Sequence, residues 1–402
     1  MSELYSLPNG WEWKKLGKIA KLQNGFAFKS KLFVNDGLPI VRIKNIKNEK
    51  VLLDDVVYFN VEDYGKKLDS YQIKKNDILL AMSGATTGKI GLYDTDEISY
   101  LNQRVGLFRI ENSNLRSYLF YFLSTQIEKN LELSLGAAQP NLSTEQINNI
   151  ELPLPPLEEQ KRIVAKLDIL FAKIDKAIAL HQKNIDEANI FMASVLNDVF
   201  VELEEKYSSK TVYELCTKIT DGTHSTPKYI DSGIPFLSVK NISQGVISFD
   251  DTKFISIEEH NLLSKRCNVE KNDILYTKVG TTGIAKVVDT DIEFSIFVSI
   301  ALLKPKKDLI SSMYFQHILN SPNCYEQSQS RTRGVANRNL VLNDIKQIFF
   351  PLPPLKTQQK VVAYLDEISN KMEKIKNLQK EKMQSLKELK ASILDKAFKG
   401  EL

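Results

Sequence analysis

Two loops carry the side chains best suited to binding chemistry. Ser83–Gly91 reads SGATTGKIG, and Gly280–Lys286 reads GTTGIAK. Hydroxyls, lysines and backbone amides on Gly-rich turns can hold phosphate oxygens. A nucleotide-binding phosphate loop, however, needs four residues between its glycines and Ser or Thr after the lysine. Here three residues separate Gly84 from Gly88, and Ile90 follows Lys89, so neither condition is met. No dinucleotide-type glycine fingerprint follows a strand. The Asn-Pro-Pro-aromatic motif of amino-methyltransferases is missing, and SPNCY (Ser321 to Tyr325) does not replace it. The four histidines and three cysteines form no Cys-x-x-Cys or His-x-x-x-His pair, so no zinc site is expected. The expectation is a non-enzymatic chain with no cofactor or metal of its own.

What remains is recognition. Arg and Lys can read guanine edges, Asn and Gln can read adenine, and Ser, Thr and backbone amides can hold phosphates. The candidate DNA-contacting residues in the first half are Lys44, Asn45, Ser83, Thr86, Thr87, Lys89, Gln103, Arg104 and Gln139. Those in the second half are Thr223, His224, Lys240, Asn241, Lys278, Thr281, Thr282, Arg331, Arg333, Asn337 and Arg338. The three arginines lie in a stretch with no acidic residue between Glu326 and Asp344, whereas the counterpart LSLGAAQPNLST has no arginine. That divergence suggests two surfaces with different targets.

The elements that must position these residues are duplicated. LPLPPLEEQKRIVAKLD from Leu152 recurs as FPLPPLKTQQKVVAYLDE from Phe350, an offset of 198. GAAQPNL (Gly136 to Leu142) matches GVANRNL (Gly334 to Leu340) at the same offset, as Ile147 and Ile150 match Ile345 and Ile348. GLPIVRIKNI (Gly37 to Ile46) matches GIPFLSVKNI (Gly233 to Ile242) at 196, and KKNDIL (Lys74 to Leu79) matches EKNDIL (Glu270 to Leu275) at 196. The period is far too long for a solenoid. One globular-plus-helix module has been copied once, head to tail.

Each module ends in a long helix that starts after its proline run. In the first, Phe171, Ile174, Ile178, His181, Ile185, Ala188, Met192, Val195 and Val199 step by three and four, the seam of a coiled coil. The second shows Val361, Leu365, Ile368, Met372 and Ile375, then Leu386, Leu389 and Ile393, interrupted at Gln379 and Lys382. Residues 157–206 hold 7 basic and 10 acidic side chains and 355–402 hold 11 and 7, which favours their lying side by side, and the head-to-tail duplication makes an antiparallel pair related by an approximate dyad the simplest arrangement. His181 and Gln379 are repeat equivalents near the helix middles. They are expected to form a polar layer at the dyad that fixes register, in preference to a metal ligand or catalytic base at His181.

The globular parts read as β-rich. LPIVRIKNI, DILLAMSG, LNQRVGLFRI, IPFLSVKNI, DILYTKVG and FSIFVSIALLKP are short β-branched runs bounded by Gly, Asn and Asp. Ser117–Leu133 and Met313–Gln327 read as equivalent helices. The fold class is therefore α+β: two β-rich domains, 1–151 and 207–349, separated by antiparallel helices at 152–206 and 350–402, with pseudo-twofold duplication.

Composition fits a soluble globular protein, at 43% hydrophobic and 26% charged residues over 402 positions. No eighteen-residue apolar run is present, so no membrane span is expected, and MSELYSLPNGWEW is not a secretory signal. Three scattered cysteines suit a reducing cytoplasm. The net charge of +4 is only weak support for a nucleic-acid partner.

The paired modules, PLPPLEEQKRIV leading into a long helix, GAAQPNLS before it, and DGTHSTPKY with GIPFLSVKNI resemble the specificity subunit of type I restriction–modification enzymes. The resemblance runs from LPNGWEWKKLG to the C-terminal helix. It implies a non-catalytic subunit in which each globular module is a target-recognition domain for one half of a bipartite double-stranded DNA site. The helices would set the gap and dock two methyltransferase subunits, which recruit ATP-driven translocase–nuclease subunits. S-adenosylmethionine, ATP and Mg would then sit on those partners. A stand-alone DNA-binding regulator or decoy, and a specificity subunit of a methyltransferase-only system, are the rival readings.

Overall fold

Two duplicated landmarks, KNDIL and the proline run, are local devices that close a turn and enter a helix. The computed structural model describes residues 5–64, 66–134, 141–243, 245–334 and 338–402. They form two compact units, 1–180 with 381–402 and 181–380.

In the first unit a four-stranded sheet has the order Val57–Phe59, Leu38–Val41, Ser99–Leu101, Gln72–Ile73. A second sheet runs Gln23–Asn24, Val105–Phe108, Ile78–Ala81, Ile90–Leu92, Glu49–Val51, Ile46–Lys47. The second unit repeats the scheme. Lys253–Ile255, Ile234–Leu237 and Ser295–Ile296 form one sheet, and Cys216–Asp221, Ile300–Pro305, Ile274–Thr277 and Ala285–Val287 the other. Leu38–Val41 pairs parallel to Ser99–Leu101, as Ile234–Leu237 pairs parallel to Ser295–Ile296. The single apolar run FSIFVSIALLKP thus supplies strands to two different sheets.

The KNDIL landmark is a tight turn. Asn76 and Asn272 adopt φ of 75° and 74°, a left-handed conformation that Asn tolerates. The following carboxylate accepts the backbone N–H three residues back: Lys74 to Asp77 at 2.7 Å, Glu270 to Asp273 at 2.8 Å. Both carboxylates are buried and each meets a cation, Arg109 at 2.6 Å on Asp77 and Lys304 at 2.7 Å on Asp273.

The proline landmark joins sheet to helix. Glu151–Leu154 pairs with Glu12–Lys15, and Phe349–Pro351 pairs with Ser209–Thr211. These strands occupy the first residues of the expected spacer segments, so the helices begin later, at Leu157–Lys206 and Leu355–Lys399. Tyr118 and Tyr314 donate to the Pro153 and Pro351 carbonyls at 2.6 and 2.8 Å. A buried glutamine sits in the first turn of each helix: Gln160 donates to the Pro155 carbonyl at 2.9 Å and Gln358 to that of Pro353 at 2.8 Å.

Two expectations change. Each helix read between the sheets and the second landmark is two helices, Ser113–Thr125 with Ile127–Ser134, and Ser312–Leu319 with Pro322–Arg331. In the second copy Ser321 caps a fresh start with Pro322 at its first position, and a proline there cannot continue the preceding helix.

The C-terminal seam also shifts. Ile375 and Leu389 are exposed, whereas Lys376 and Lys390 turn inward with Met383. All three inward positions lie 198 residues after the Ile178, Ile185 and Met192 of the first seam, so the repeat register overrides local hydrophobicity. A lysine can occupy such a place because its stem packs while its ammonium reaches out. Within the first unit Lys390 Nζ lies 3.3 Å from Asp175 and 4.8 Å from the Phe171 ring centre, and Arg162 reaches the Leu402 carbonyl at 2.8 Å. Within the second unit Lys376 reaches Asn189 at 3.4 Å and His181 Nδ1 lies 2.5 Å from Gln379 Oε1. In each unit the helix segments run antiparallel. No helix among the described residues is long and apolar enough to cross a membrane.

Candidate nucleic-acid interface

Each module gathers its candidate residues at one end of its sheets. In the first, Gly84 and Gly88 take φ of 78° and 86°, and a Cβ on Gly88 would stand 2.7 Å from the Ile127 carbonyl oxygen. Only glycine fits there. Met82 N donates to the Arg104 carbonyl at 3.0 Å, Gln103 N to that of Phe26 at 2.8 Å, and Ser83 bridges Asn141. Ser83, Lys89, Gln103 and Arg104 are thereby brought onto one surface, with Lys89, Gln103 and Arg104 exposed. The Ser83 and Thr86 hydroxyls are buried without a hydrogen-bond partner among the described residues. Thr87 is buried and donates to the Gly84 carbonyl at 2.7 Å, closing the turn.

The second module repeats the framework with other side chains. Lys278 N donates to the Ser299 carbonyl at 3.0 Å, Gly280 N to that of Arg338 at 2.9 Å, and Leu340 N to that of Lys278 at 2.7 Å. Thr281 is exposed at the loop tip, while Thr282 is buried with its hydroxyl 3.1 Å from that of Thr332. Arg331 donates to the Gln327 carbonyl at 2.8 Å, and Arg338 is hydrogen-bonded to the Gln329 amide oxygen. Arg333 is the most exposed of the three: 75% of its side chain is exposed, and it pairs with Asp344 at 3.4 Å. Thr223 is half-buried and His224 exposed beside this loop. Gln139 and Asn337 lie outside the described residues.

One pair has structural work instead. Asn45 and Asn241 are buried, and each side-chain oxygen accepts the N–H three residues back, from Arg42 and Ser238, both at 2.9 Å. Their amides donate to Leu52 and Ser248 carbonyls at 3.1 and 3.2 Å, leaving nothing to offer a base. Lys44 and Lys240 sit at exposed positions, paired to Asp55 at 2.5 Å and Asp251 at 3.0 Å. Such exposed pairs are weak and can exchange for phosphate.

The pattern of residue types did not reveal Asp221 and Arg266. Asp221 is 3% exposed and meets buried Lys278 at 2.9 Å, His224 at 3.2 Å and Arg266 at 3.3 Å. Burial alone would raise this carboxyl, but Lys278 and then His224 hold it below the usual carboxylate range. The signal lay in DGTH, where the first module has NGFA. No cluster of three or more His, Cys, Asp or Glu side chains able to hold a metal occurs among the described residues. The three thiols are buried and free, and burial pushes Cys216 and Cys324 up to about 12 and Cys267 to about 11.

The sequence matches the family described as "Type I restriction modification DNA specificity domain" twice, over residues 8–189 and 204–382. The type I restriction enzyme EcoBI specificity subunit of Escherichia coli is 28% identical over 99% of this chain and 88% of its own length. The EcoKI specificity subunit of Escherichia coli strain K12 is 26% identical over 98% of this chain and 90% of its own length. A chain from a solved structure of a type I R-M system, described for its complex assembly and conformational transition, shares the fold with a TM-score of 0.72. It is 23% identical, and the superposition covers 99% of this chain and 100% of that one. Two matched copies spanning most of the sequence, on a twice-repeated framework, make the chain a member of the type I restriction–modification DNA specificity family.

Proposed function

We propose that each globular module, 1–151 and 207–349, reads one half of a bipartite double-stranded DNA site. The chain is the non-catalytic specificity component of a type I restriction–modification enzyme. The observation that carries the two-half reading is that the modules share their turns and differ in what those turns present. Gly84 and Gly280, Asn45 and Asn241, and Asp77 and Asp273 occupy matching places, whereas, apart from the Lys44 and Lys240 pair, the exposed basic side chains of these loops do not match. Lys89 and Arg104 face outward in the first module, and Arg333 and His224 in the second. A common frame with different exposed donors is what two distinct target sequences require, since phosphate contacts position a protein and base contacts specify the sequence.

The proposed contact set is Ser83, Thr86, Lys89, Gln103, Arg104 and Gln139 in the first module. In the second it is Thr223, His224, Thr281, Arg331, Arg333, Asn337 and Arg338, with Lys44 and Lys240 as phosphate ligands. Thr87, Thr282, Asn45, Asn241 and Lys278 hold the loops. The two long helices set the unread gap, with His181 and Gln379 fixing their register, and dock two methyltransferase subunits. S-adenosylmethionine, ATP and Mg belong to those subunits and to the translocase–nuclease, and the assembly works on DNA in the cytoplasm. Mapping methylated bases in a host strain with and without this gene tests the reading. A two-part sequence with an unread gap should vanish with the gene; an unchanged methylation map would refute it.

A further inference from the structure

We propose that in the second module Asp221 is a positioning residue that aims Arg266 at acceptor atoms of a base edge and orients His224 beside it, making Arg266 a specificity determinant. The inference rests on the DNA-reading role proposed above. Asp221 and Lys278 are both buried, and removing two charges from water is rarely repaid by their mutual attraction alone. The first module shows that the fold does not need the pair. Met82 takes the place of Lys278, since both backbones make the same two hydrogen bonds: Met82 N to Arg104 and Leu142 N to Met82, against Lys278 N to Ser299 and Leu340 N to Lys278. Asn24 takes the place of Asp221. The glycine after each, Gly25 and Gly222, packs against the carbonyl of a matching turn, and the next residues, Phe26 and Thr223, form equivalent bridges to Asn102 and Phe297.

What the buried carboxylate adds is a fixed anchor for two exposed heads. Its Oδ1 meets His224 Nε2 at 3.2 Å and Arg266 Nη2 at 3.3 Å, while Oδ2 is held by Lys278. The same Arg266 nitrogen also donates to the Asp221 carbonyl at 2.8 Å and to that of Gly222. Its other nitrogens have no acceptor among the described residues, and the side chain is about half exposed. Arg266 and His224 line a cleft of about 380 Å³ with Thr223, Cys267 and Ser295. A guanidinium tethered by one corner presents its remaining N–H groups in a fixed direction, the geometry that suits the O6 and N7 acceptors of guanine.

Two variants of the full chain, each coexpressed with its methyltransferase partner, test this by methylation mapping. D221N/K278M recreates the Asn and Met of the first module and so keeps the core filled. H224N/R266M alters only the exposed heads. Both should keep the first half-site, and in the second half-site both should lose preference at the same position by about tenfold. An unaltered second half-site in H224N/R266M overturns the inference whatever the core variant does. So does a change that spreads to both half-sites. If the wild-type chain directs no two-part sequence at all, the DNA-reading role itself fails, which the same experiment separates from failure of the positioning role.

Discussion

Gln358 and Gln160 occupy the same place in the two repeats but carry different loads, which makes them a test of the physical argument. Gln358 is fully buried; it donates to the Pro353 and Leu309 carbonyls, both at 2.8 Å, and accepts from Ser311 N at 2.9 Å. Gln358→Leu keeps the volume and strands three backbone groups. At about 1–3 kcal/mol for each buried group left unpaired, the loss should be roughly 3 kcal/mol or more. Gln160 satisfies only the Pro155 carbonyl, and its own Oε1 already lacks a partner among the described residues. Gln160→Leu should therefore cost about 1 kcal/mol or less, because one stranded carbonyl is offset by removal of an unsatisfied oxygen. With a urea slope of roughly 1–3 kcal/mol per molar, the two midpoints should differ by about 1 M when unfolding is followed by far-ultraviolet circular dichroism. Equal shifts, or a larger shift for the Gln160 variant, would refute the assignment of these glutamines.

Among the second-module arginines, Arg333→Ala should lower the salt slope of DNA binding by about 0.9 with little loss of thermal stability, because its side chain is largely exposed and its pair with Asp344 is weak. Arg338→Ala should cost stability as well, since it holds Gln329. The three thiols should react with a disulfide reagent only on unfolding, as burial keeps them protonated near pH 8. Prompt labelling of the native chain would contradict their placement. The Asp221 carboxyl lies below its unfolded value, so its contribution to stability is complete above about pH 5 and fades as pH falls through the depressed value. Melting temperatures compared with D221N/K278M should hold a constant difference above about pH 5 and move in favour of the variant below it.

The duplication was legible because its landmarks are local. Asn76 and Asn272 must turn the chain and Asp77 and Asp273 must cap that turn, so short motifs survive at one offset. The helix entries were legible for the same reason. The inward faces of the C-terminal helix were not, because Lys376 and Lys390 hide their stems and Ile375 and Leu389 remain exposed. Composition gave no warning; the first helix shifted by 198 would have. Among the candidate contacts, residue type could not separate Asn45, whose amide is consumed by backbone, from Gln103, which is exposed. Nor could it find Arg266, which reaches Asp221 across 45 residues.

Exchange of the second module tests the central claim most directly. Residues 207–349 should be replaced by the matching module of a relative that directs a different methylation pattern, and the methylated sequence mapped in cells carrying the methyltransferase partner. The account predicts that one half-site changes to that of the donor while the other half and the gap stay as they were. Simultaneous change of both half-sites in a folded, active exchange would contradict it.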